Sequence, residues 1–161
     1  MVLRPDEDGK PWLESGEWHF NLSHSGDWAL LGVAREELGI DVEDSGRRVE
    51  HHPLAQRFFS RYEADRAHSK ETFFQIWTLK EAYVKAVGKG LRLPLDDFRV
   101  IDDGGRWGVF SLAGQQLGHW EGTRLETRLS LPPDYYAALV TPAPVAGLRS
   151  FRYQPFVAPS L

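Results

Sequence analysis

The sequence predicts an α+β fold, and three observations support this prediction. Short runs with strand character lie near the amino-terminal end, a stretch with helical periodicity occupies residues 72–87, and further strand-like runs follow it. Strands and helices in separate blocks, rather than in strict alternation, are typical of α+β proteins. The chain has 161 residues, of which 42% are hydrophobic and 12% aromatic. This size and composition predict a single domain over 1–161 with a substantial core.

Three strands and two short helices are predicted before the long helix. Strands are expected at 18–22, 28–34 and 38–43, joined by turns at 26–27 and 35–37, after a polar region with a loop at 9–11. Pro53 is suited to the start of a helix that carries Leu54 and Phe58. Ser60 and Glu63 have the spacing of a capping box, in which the serine begins a helix and the glutamate closes its first turn.

The long helix is the strongest local signal. Apolar residues recur every three or four positions from Phe73 to Val87, and Gly88 and Gly90 are typical of a helix end. Strands are then predicted at 98–101, 107–112, 124–131 and 135–141. The tail over 142–161 is rich in proline, so we expect it to be irregular.

Composition and charge exclude several classes of protein. The chain has no cysteine, which excludes disulfides, thiolate metal sites and cysteine nucleophiles and fits a cytoplasmic location. Residues 1–10 lack the apolar core of a signal peptide, and no apolar run is long enough for a membrane span. The net charge is −4, yet residues 45–92 hold ten Lys and Arg against five Asp and Glu. This basic segment predicts an anionic ligand or an acidic partner; the alternative is an ordinary solvated helical surface.

Three carboxylates stand in patterns that predict a metal site. Asp41 and Glu43 lie two positions apart on a predicted strand, so their side chains share one face while the intervening apolar residues point to a core. Glu81 and Lys85 share one face of the long helix. Hard oxygen ligands from separate elements suit Mg²⁺ when the ion also holds a phosphate. The alternatives are acids that face solvent on the strand and a simple intrahelical pair between Glu81 and Lys85.

The run Phe20 to Ser25 is a third cluster of polar residues. Ser23, His24 and Ser25 offer several donors to a phosphate, although serines in such places also satisfy turns. Neighbouring residues on a strand point apart, so Ser23 and His24 do not indicate a serine hydrolase. The sequence also lacks a Gly-x-Ser-x-Gly elbow and a glycine-rich lysine loop.

Together these segments resemble the 4′-phosphopantetheinyl transferases, specifically the type that activates surfactin synthetase. The resemblance runs from about residue 8 to Thr141, in the family's order and at its approximate spacings. The matching pieces are Gly9-Lys10-Pro11, Phe20 to Ser25, Gly39 to Glu43, Arg57 to Ser60 followed by Glu63, and Trp77 to Leu91 with Pro94-Leu95. The resemblance implies an antiparallel sheet packed against a long helix, with the chain covering the carboxy-terminal half and the end of the amino-terminal half.

The resemblance also implies a reaction. These enzymes transfer the phosphopantetheine arm of coenzyme A to a serine of an apo acyl- or peptidyl-carrier protein and release adenosine 3′,5′-bisphosphate. Asp41, Glu43 and Glu81 match the ligands of Mg²⁺, for which Mn²⁺ is a possible substitute. Lys85 matches the cation that neutralises or protonates the leaving phosphate, and Glu81 is the expected base for the incoming hydroxyl.

Residues outside the metal site are also implied by the resemblance. Lys10, Ser23 and His24 match positions that contact coenzyme A, and Glu63 matches a further acid near the active site. The basic segment then has an explanation, because carrier proteins are typically acidic around their modified serine. Its candidate docking residues are Arg57, Arg61, Arg66 and Lys70. No nucleic acid or membrane partner is expected.

The chain departs from the family pattern in its length. Family members of this type usually have two similar halves of about a hundred residues, but only about forty residues precede Gly39. We expect either a truncated form of a longer protein, which we favour, or a short enzyme that completes itself by self-association; the truncated form would expose apolar surface. Two other functions stay open: a non-catalytic module that binds coenzyme A or a carrier protein, and another Mg²⁺-dependent phosphotransferase or phosphohydrolase.

Overall fold

The structure is a computed structural model that describes residues 3–5, 9–14, 16–103, 106–142 and 144–153. The strands are β1 Leu3–Pro5, β2 Pro11–Leu13, β3 His19–Ser25, β4 Trp28–Ala34, β5 Gly39–Asp44, β6 Phe98–Asp103, β7 Arg106–Ser111, β8 Gln116–Arg124 and β9 Tyr135–Thr141. The helices are α1 His51–Phe58, α2 Arg61–Ala64, α3 Lys70–Val87 and α4 Glu126–Leu129, with short 3-10 turns at Gly90–Arg92 and Leu95–Asp97. This arrangement confirms the α+β prediction.

Five strands form one antiparallel sheet in the order β5-β9-β8-β7-β6, while β3 pairs with β4 and β1 with β2 in separate hairpins. The long helix α3 packs across β5 and β9. Strand β5 is an edge strand of the sheet, and the β3–β4 hairpin lies against it. The edge of the sheet is thus where the hairpin, the sheet and the helix meet.

Helix α3 begins two residues before the predicted start and ends at the predicted residue. Its first turn is closed by Ser69, whose side chain accepts a hydrogen bond from the Thr72 N–H group, and its last turn by Gly88 in the left-handed region at φ 78°. The apolar side of the helix includes Phe73 and Leu79 and packs into the larger of two core clusters. Burial against the sheet, rather than helix propensity, supplies most of the stability of such a helix.

Gly39 allows α3 to approach β5 closely. A Cβ atom at this position would lie 1.9 Å from the Ala82 carbonyl oxygen and 2.4 Å from the Ala86 nitrogen. Because both are backbone atoms of α3, no side-chain adjustment would relieve the overlap. The glycine that opens the Gly39 to Glu43 run therefore determines how near the carboxylates of β5 come to the helix.

The two faces of β5 have different surroundings, as the alternating pattern predicts. Ile40 and Val42 are buried in the second core cluster, together with Leu38 and Leu139. Asp41 lies on the opposite face, where it meets a side chain of α3. The prediction that Ile40 and Val42 point to a core while the carboxylates point elsewhere is confirmed.

The predicted strand at 124–131 is wrong. Strand β8 covers Gln116–Arg124, and the following residues form α4 and end at Ser130, which has φ 50°. The first part of β8 is mostly exposed, and its two large apolar residues, Leu117 and Trp120, are three positions apart, so it carries no apolar alternation. Leu125 is fully buried and its N–H group bonds to the Ala137 carbonyl, which turns the chain where a strand was expected to begin.

Other boundaries differ by one to three residues, and the hairpin of β1 and β2 was not predicted. Pro11, which was expected in a loop, begins β2. The strand predicted at 18–22 covers His19–Ser25, and the helix expected from Pro53 begins at His51.

The predicted capping box of Ser60 and Glu63 is confirmed in both of its hydrogen bonds. Residues 142 and 144–153 form no helix or strand, as expected, and 154–161 lie outside the described residues.

The outer face of the β3–β4 hairpin is apolar and exposed. Leu22, Leu31 and Val33 keep 55%, 62% and 55% of their surface accessible, and Leu22 lies directly opposite Leu31. Contiguous apolar surface of this kind is unusual on a protein that stays monomeric. Exposed apolar surface was expected of a truncated form; this face is apolar and exposed, and both the truncation and association through this face stay predictions.

Candidate active site

Three polar side chains of β3 take the place of a neighbouring strand along the edge of β5. Asn21, Ser23 and Ser25 alternate along β3 and are all buried. The Asn21 Oδ1 atom accepts a hydrogen bond from the Ile40 N–H group at 2.8 Å. The two serine Oγ atoms accept from the next two free N–H groups of β5, at 3.2 and 3.0 Å. We call these three residues the side-chain ladder; they satisfy backbone donors that burial would otherwise leave unpaired.

Asp41 projects from β5 into this junction and is almost completely buried. Its Oδ1 atom accepts hydrogen bonds from the Lys85 ammonium group at 2.6 Å and from the Ser23 hydroxyl at 2.9 Å. Its Oδ2 atom is buried and has no hydrogen-bond partner among the described residues. Burial raises the pKa of Asp41 from 3.8 to about 7, although the positive charge of Lys85 works in the opposite direction.

Glu43 lies two residues further along the same face and is held in the same manner. Its Oε2 atom accepts a hydrogen bond from the Ser25 hydroxyl at 3.1 Å and forms a close ion pair with Arg47. Its Oε1 atom accepts no hydrogen bond within the part of the chain that the structure describes. In both carboxylates, therefore, neighbours hold one oxygen and leave the other one free.

Glu81 approaches the two carboxylates from α3. Its side chain is partly buried, and burial raises its pKa, while Lys85 lowers it and Glu43 raises it further. Lys85 forms its ion pair with Asp41 across the helix–strand junction rather than with Glu81 one turn away. The alternative of a simple intrahelical pair between Glu81 and Lys85 is not what the structure shows.

Whether a divalent ion fits this junction depends on its carboxylates. Among the described residues, no three acidic or histidine side chains are grouped closely enough to form a complete ligand set. However, the buried and unpartnered Oδ2 atom of Asp41 is a site that a cation would satisfy. The nearby donors, Glu43 and Glu81, are hard oxygen ligands, which suit Mg²⁺ or Mn²⁺. The donor types therefore suit a divalent ion, and Asp41 and its neighbours are the residues that would hold one together with substrate or water.

The three residues predicted to contact coenzyme A lie in different surroundings. Ser23 is at the centre of the site, between Asp41 and Lys85. Lys10 lies at the carboxy-terminal end of α3, where its ammonium group donates to the Ala86 carbonyl at 2.6 Å. His24 is exposed on the other face of β3, since successive residues of a strand point to opposite sides. Their contacts with coenzyme A stay predictions.

Glu63 lies in a buried polar network rather than beside the three carboxylates. Its Oε2 atom pairs with the Lys80 ammonium group at 2.9 Å, and both side chains are essentially inaccessible. Its Oε1 atom accepts from the Val100 N–H group at 2.7 Å. Lys80 also donates to the Leu95 and Phe98 carbonyls, at 2.7 and 2.6 Å. These contacts tie α2, α3 and β6 together, and sequence analysis gave Lys80 no role because a lysine in a helix is usually exposed.

The candidate docking residues of the basic segment are on the surface. Arg57, Arg61 and Lys70 are exposed, and the Arg61 side chain is 96% accessible. Arg66 is exposed as well, with its guanidinium group stacked 3.5 Å from the centre of the Tyr62 ring. None of the four is buried, so all are available to an acidic partner.

Comparison with known proteins identifies the family. The model of the 4′-phosphopantetheinyl transferase superfamily matches residues 37–140, a range that includes the three carboxylates and Lys85. The chain belongs to this superfamily. The match extends from the residue before Leu38 to Val140, so it contains α3 and all of the five-stranded sheet except the last residue of β9.

Relatives from bacteria agree with the superfamily assignment. The chain is 34% identical over 155 residues to the 4′-phosphopantetheinyl transferase psf-1 of Bacillus pumilus, covering 91% of this chain and 63% of that protein. It is 38% identical over 101 residues to the 4′-phosphopantetheinyl transferase Sfp of Bacillus subtilis, covering 58% and 44%. It is 35% identical over 106 residues to gsp of Aneurinibacillus migulanus, covering 61% and 43%. The matches therefore span about half the length of these relatives.

Among solved structures, the crystal structure of the Thermotoga maritima holo-acyl-carrier-protein synthase covers 65% of this superfamily member with 22% sequence identity and a TM-score of 0.49. This likeness is too distant to add to the assignment. None of the helices in the described residues combines the length and apolar character that crossing a lipid bilayer requires.

Proposed function

We propose that this chain catalyses the Mg²⁺-dependent transfer of 4′-phosphopantetheine from coenzyme A to a serine of an apo acyl- or peptidyl-carrier protein. The observation that carries the proposal is the junction of β5 and α3, where Asp41 pairs with Lys85 and keeps one buried oxygen free. This junction lies within the range that matches the superfamily. Because these reactants are cytoplasmic, the proposal also assigns the protein to the cytoplasm.

The reaction forms a bond between the serine Oγ atom of the carrier and the β-phosphorus of coenzyme A. The pyrophosphate bond breaks, and adenosine 3′,5′-bisphosphate leaves with the bridging oxygen. The serine of the carrier is the nucleophile, so the enzyme needs none of its own. The lack of cysteine in the sequence agrees with an enzyme that supplies no nucleophile.

Asp41, Glu43 and Glu81 are the proposed metal ligands. When bound, Mg²⁺ would neutralise charge on the pyrophosphate and stabilise the charge that develops in the transition state. The free oxygens of Asp41 and Glu43 are the atoms available to the ion, since their other oxygens are held by protein groups.

Lys85 and Glu81 are the proposed catalytic residues. The Lys85 ammonium group is anchored by Asp41, yet the side chain is 29% exposed, so it could also reach a substrate phosphate. Its charge would stabilise the leaving oxygen. Glu81 would accept the proton of the serine hydroxyl, a role that a carboxylate within hydrogen-bond reach of the hydroxyl can fill.

The proposed partners follow from charge. The acidic surface of a carrier protein would meet the exposed arginines and lysine of the basic segment, Arg57, Arg61, Arg66 and Lys70. Such contacts mainly accelerate association and select the partner rather than tighten the complex. Lys10, Ser23 and His24 are the proposed contacts with coenzyme A.

The experiment is incubation of the chain with coenzyme A, Mg²⁺ and an apo carrier protein, followed by mass spectrometry of the carrier. We expect the mass of one phosphopantetheine to be added, and we expect Glu81→Ala to abolish the addition. The matched control is Glu71→Ala, which removes an exposed glutamate of the same helix that accepts a hydrogen bond from Gln75. This control should stay active.

Three outcomes would contradict the proposal. Binding of the carrier or of coenzyme A without any change of mass would indicate a non-catalytic module. Release of free phosphate would indicate a hydrolase. Transfer that Glu81→Ala leaves intact, with an unchanged dependence on Mg²⁺, would refute the assignment of Glu81.

A further inference from the structure

We propose that Ser25 is a positioning residue that holds Glu43 in the orientation required for the divalent ion. This inference rests on the proposed function, because it assumes that Glu43 is a metal ligand. It assigns to Ser25 a role in catalysis that neither the family match nor the sequence patterns indicate.

The hydroxyl group of Ser25 is fully used by its neighbours. A serine hydroxyl can donate one hydrogen bond and accept two. The Ser25 Oγ atom accepts from the Asp44 N–H group and from the Arg47 guanidinium, both at 3.0 Å. The remaining interaction is the bond to the Glu43 Oε2 atom at 3.1 Å. Because both acceptor positions are taken, the hydroxyl proton of Ser25 can point only toward Glu43.

Ser23 repeats this pattern one step earlier on β3. Its Oγ atom accepts from the Val42 N–H group at 3.2 Å and from the Lys85 ammonium group at 2.9 Å, and it donates to the Asp41 Oδ1 atom at 2.9 Å. Each serine is thus joined to a backbone N–H group of β5, to one cation and to one carboxylate. Two copies of the same arrangement, two residues apart, are stronger support than either hydrogen bond alone.

The arrangement has a consequence for the carboxylates. Each serine and its cation occupy one oxygen of a carboxylate and leave the second oxygen free, which for Asp41 is the buried Oδ2 atom. A carboxylate held in this way loses little rotational freedom when its free oxygen binds an ion. When a neighbouring residue that hydrogen-bonds a metal-binding carboxylate is removed, the affinity for the metal commonly falls by about 10- to 100-fold.

Asn21 provides a control within the same side-chain ladder. It is buried like Ser25 and accepts a hydrogen bond from β5 in the same way, through the Ile40 N–H group. It has no bond to a carboxylate, since the residue of β5 on that side is Gly39. Removing Asn21 or Ser25 therefore costs each variant one hydrogen bond from a backbone N–H group of β5, but only the loss of Ser25 also removes a hydrogen bond to a proposed metal ligand.

The test is Mn²⁺ binding without any turnover, measured from the electron paramagnetic resonance signal of the free ion. We compare the wild-type chain with Ser25→Ala, Asn21→Ala and Ser25→Thr. Thermal unfolding of each variant checks that the fold is retained. We expect Ser25→Ala to weaken Mn²⁺ binding about 10-fold or more. We expect Asn21→Ala to stay within about 2-fold of the wild type and Ser25→Thr, which keeps the hydroxyl, to recover most of the affinity.

The results that would overturn the inference are distinct from those that would overturn the proposed function. Equal Mn²⁺ affinities for Ser25→Ala and Asn21→Ala would refute the positioning role and leave the transferase proposal intact. A Ser25→Thr variant as weak as Ser25→Ala would also refute it, because the hydroxyl would then not be the cause. Absence of Mn²⁺ binding by the wild-type chain, with or without coenzyme A, would refute the metal assignment and the positioning role together.

Discussion

Replacing Asp41 with asparagine should change how the stability of the protein depends on pH. Burial raises the pKa of Asp41 from 3.8 to about 7, so the folded protein keeps a proton there over a range of pH in which the unfolded chain has lost it. The contribution of Asp41 to stability is therefore complete below about pH 4 and is lost as the pH rises through about 7. An asparagine side chain cannot ionise, so Asp41→Asn should not share this loss.

The size of the effect follows from the pKa of Asp41, whose side chain is only 4% exposed. At about 1.36 kcal/mol for each pKa unit, a rise from 3.8 to about 7 corresponds to about 4 kcal/mol between acid and alkaline conditions. The asparagine amide would bring N–H groups to the place of the unpartnered Oδ2 atom, at a cost of about 1–2 kcal/mol. We therefore expect Asp41→Asn to be slightly less stable than the wild type at pH 4.5 and more stable by about 2 kcal/mol at pH 8.5.

The assay is urea unfolding of both proteins at pH 4.5, 6, 7 and 8.5 in the absence of divalent ions. The difference between their free energies of unfolding isolates Asp41, because all other titrating groups are common to both. A difference that stays constant with pH would refute the argument, as would a difference that moves against the asparagine variant at alkaline pH. The same variant should have no transferase activity, which would show that the buried carboxylate costs stability and serves function.

Two further predictions concern the packing around the site. Gly39→Ala should destabilise the protein by about 3 kcal/mol or prevent folding, because its Cβ atom would lie 1.9 Å from the Ala82 carbonyl oxygen. The control is Gly147→Ala, which has nothing within 4 Å of its Cβ atom and should change the free energy of unfolding by less than about 0.5 kcal/mol. Equal effects of the two substitutions would contradict the close approach of α3 to β5. Lys80→Met should lower the free energy of unfolding by about 3–5 kcal/mol, because it leaves the buried Glu63 without its partner. Adding Glu63→Gln to this variant should recover part of the loss, as measured by urea unfolding. A double variant no more stable than Lys80→Met would contradict this explanation.

Local patterns were sufficient for the elements with strong periodicity. The limits of β4 and β9 and the end of α3 agree with the sequence prediction, because apolar alternation and a terminal glycine are signals within a few neighbouring residues. The exposed first half of β8 has no such signal, so the boundary between β8 and α4 depends on the burial of Leu125 and its bond to β9. A buried position in the middle of a polar region is visible only in the folded chain.

The candidate site also combines features that local sequence predicts with features that depend on the folded chain. Alternation on a strand placed Asp41 and Glu43 on one face, and helical spacing placed Glu81 near Lys85. Those inferences needed only residues close together in sequence.

Tertiary structure decided which groups actually pair. Lys85 is joined to Asp41, 44 residues away, and Lys80 is joined to Glu63 in the core. Ser25 and Glu43 meet because β3 lies along the free edge of β5. The physical reason is that a hydrogen bond or an ion pair is determined by distances in space, whereas periodicity in a sequence determines only the direction in which each side chain leaves its own helix or strand.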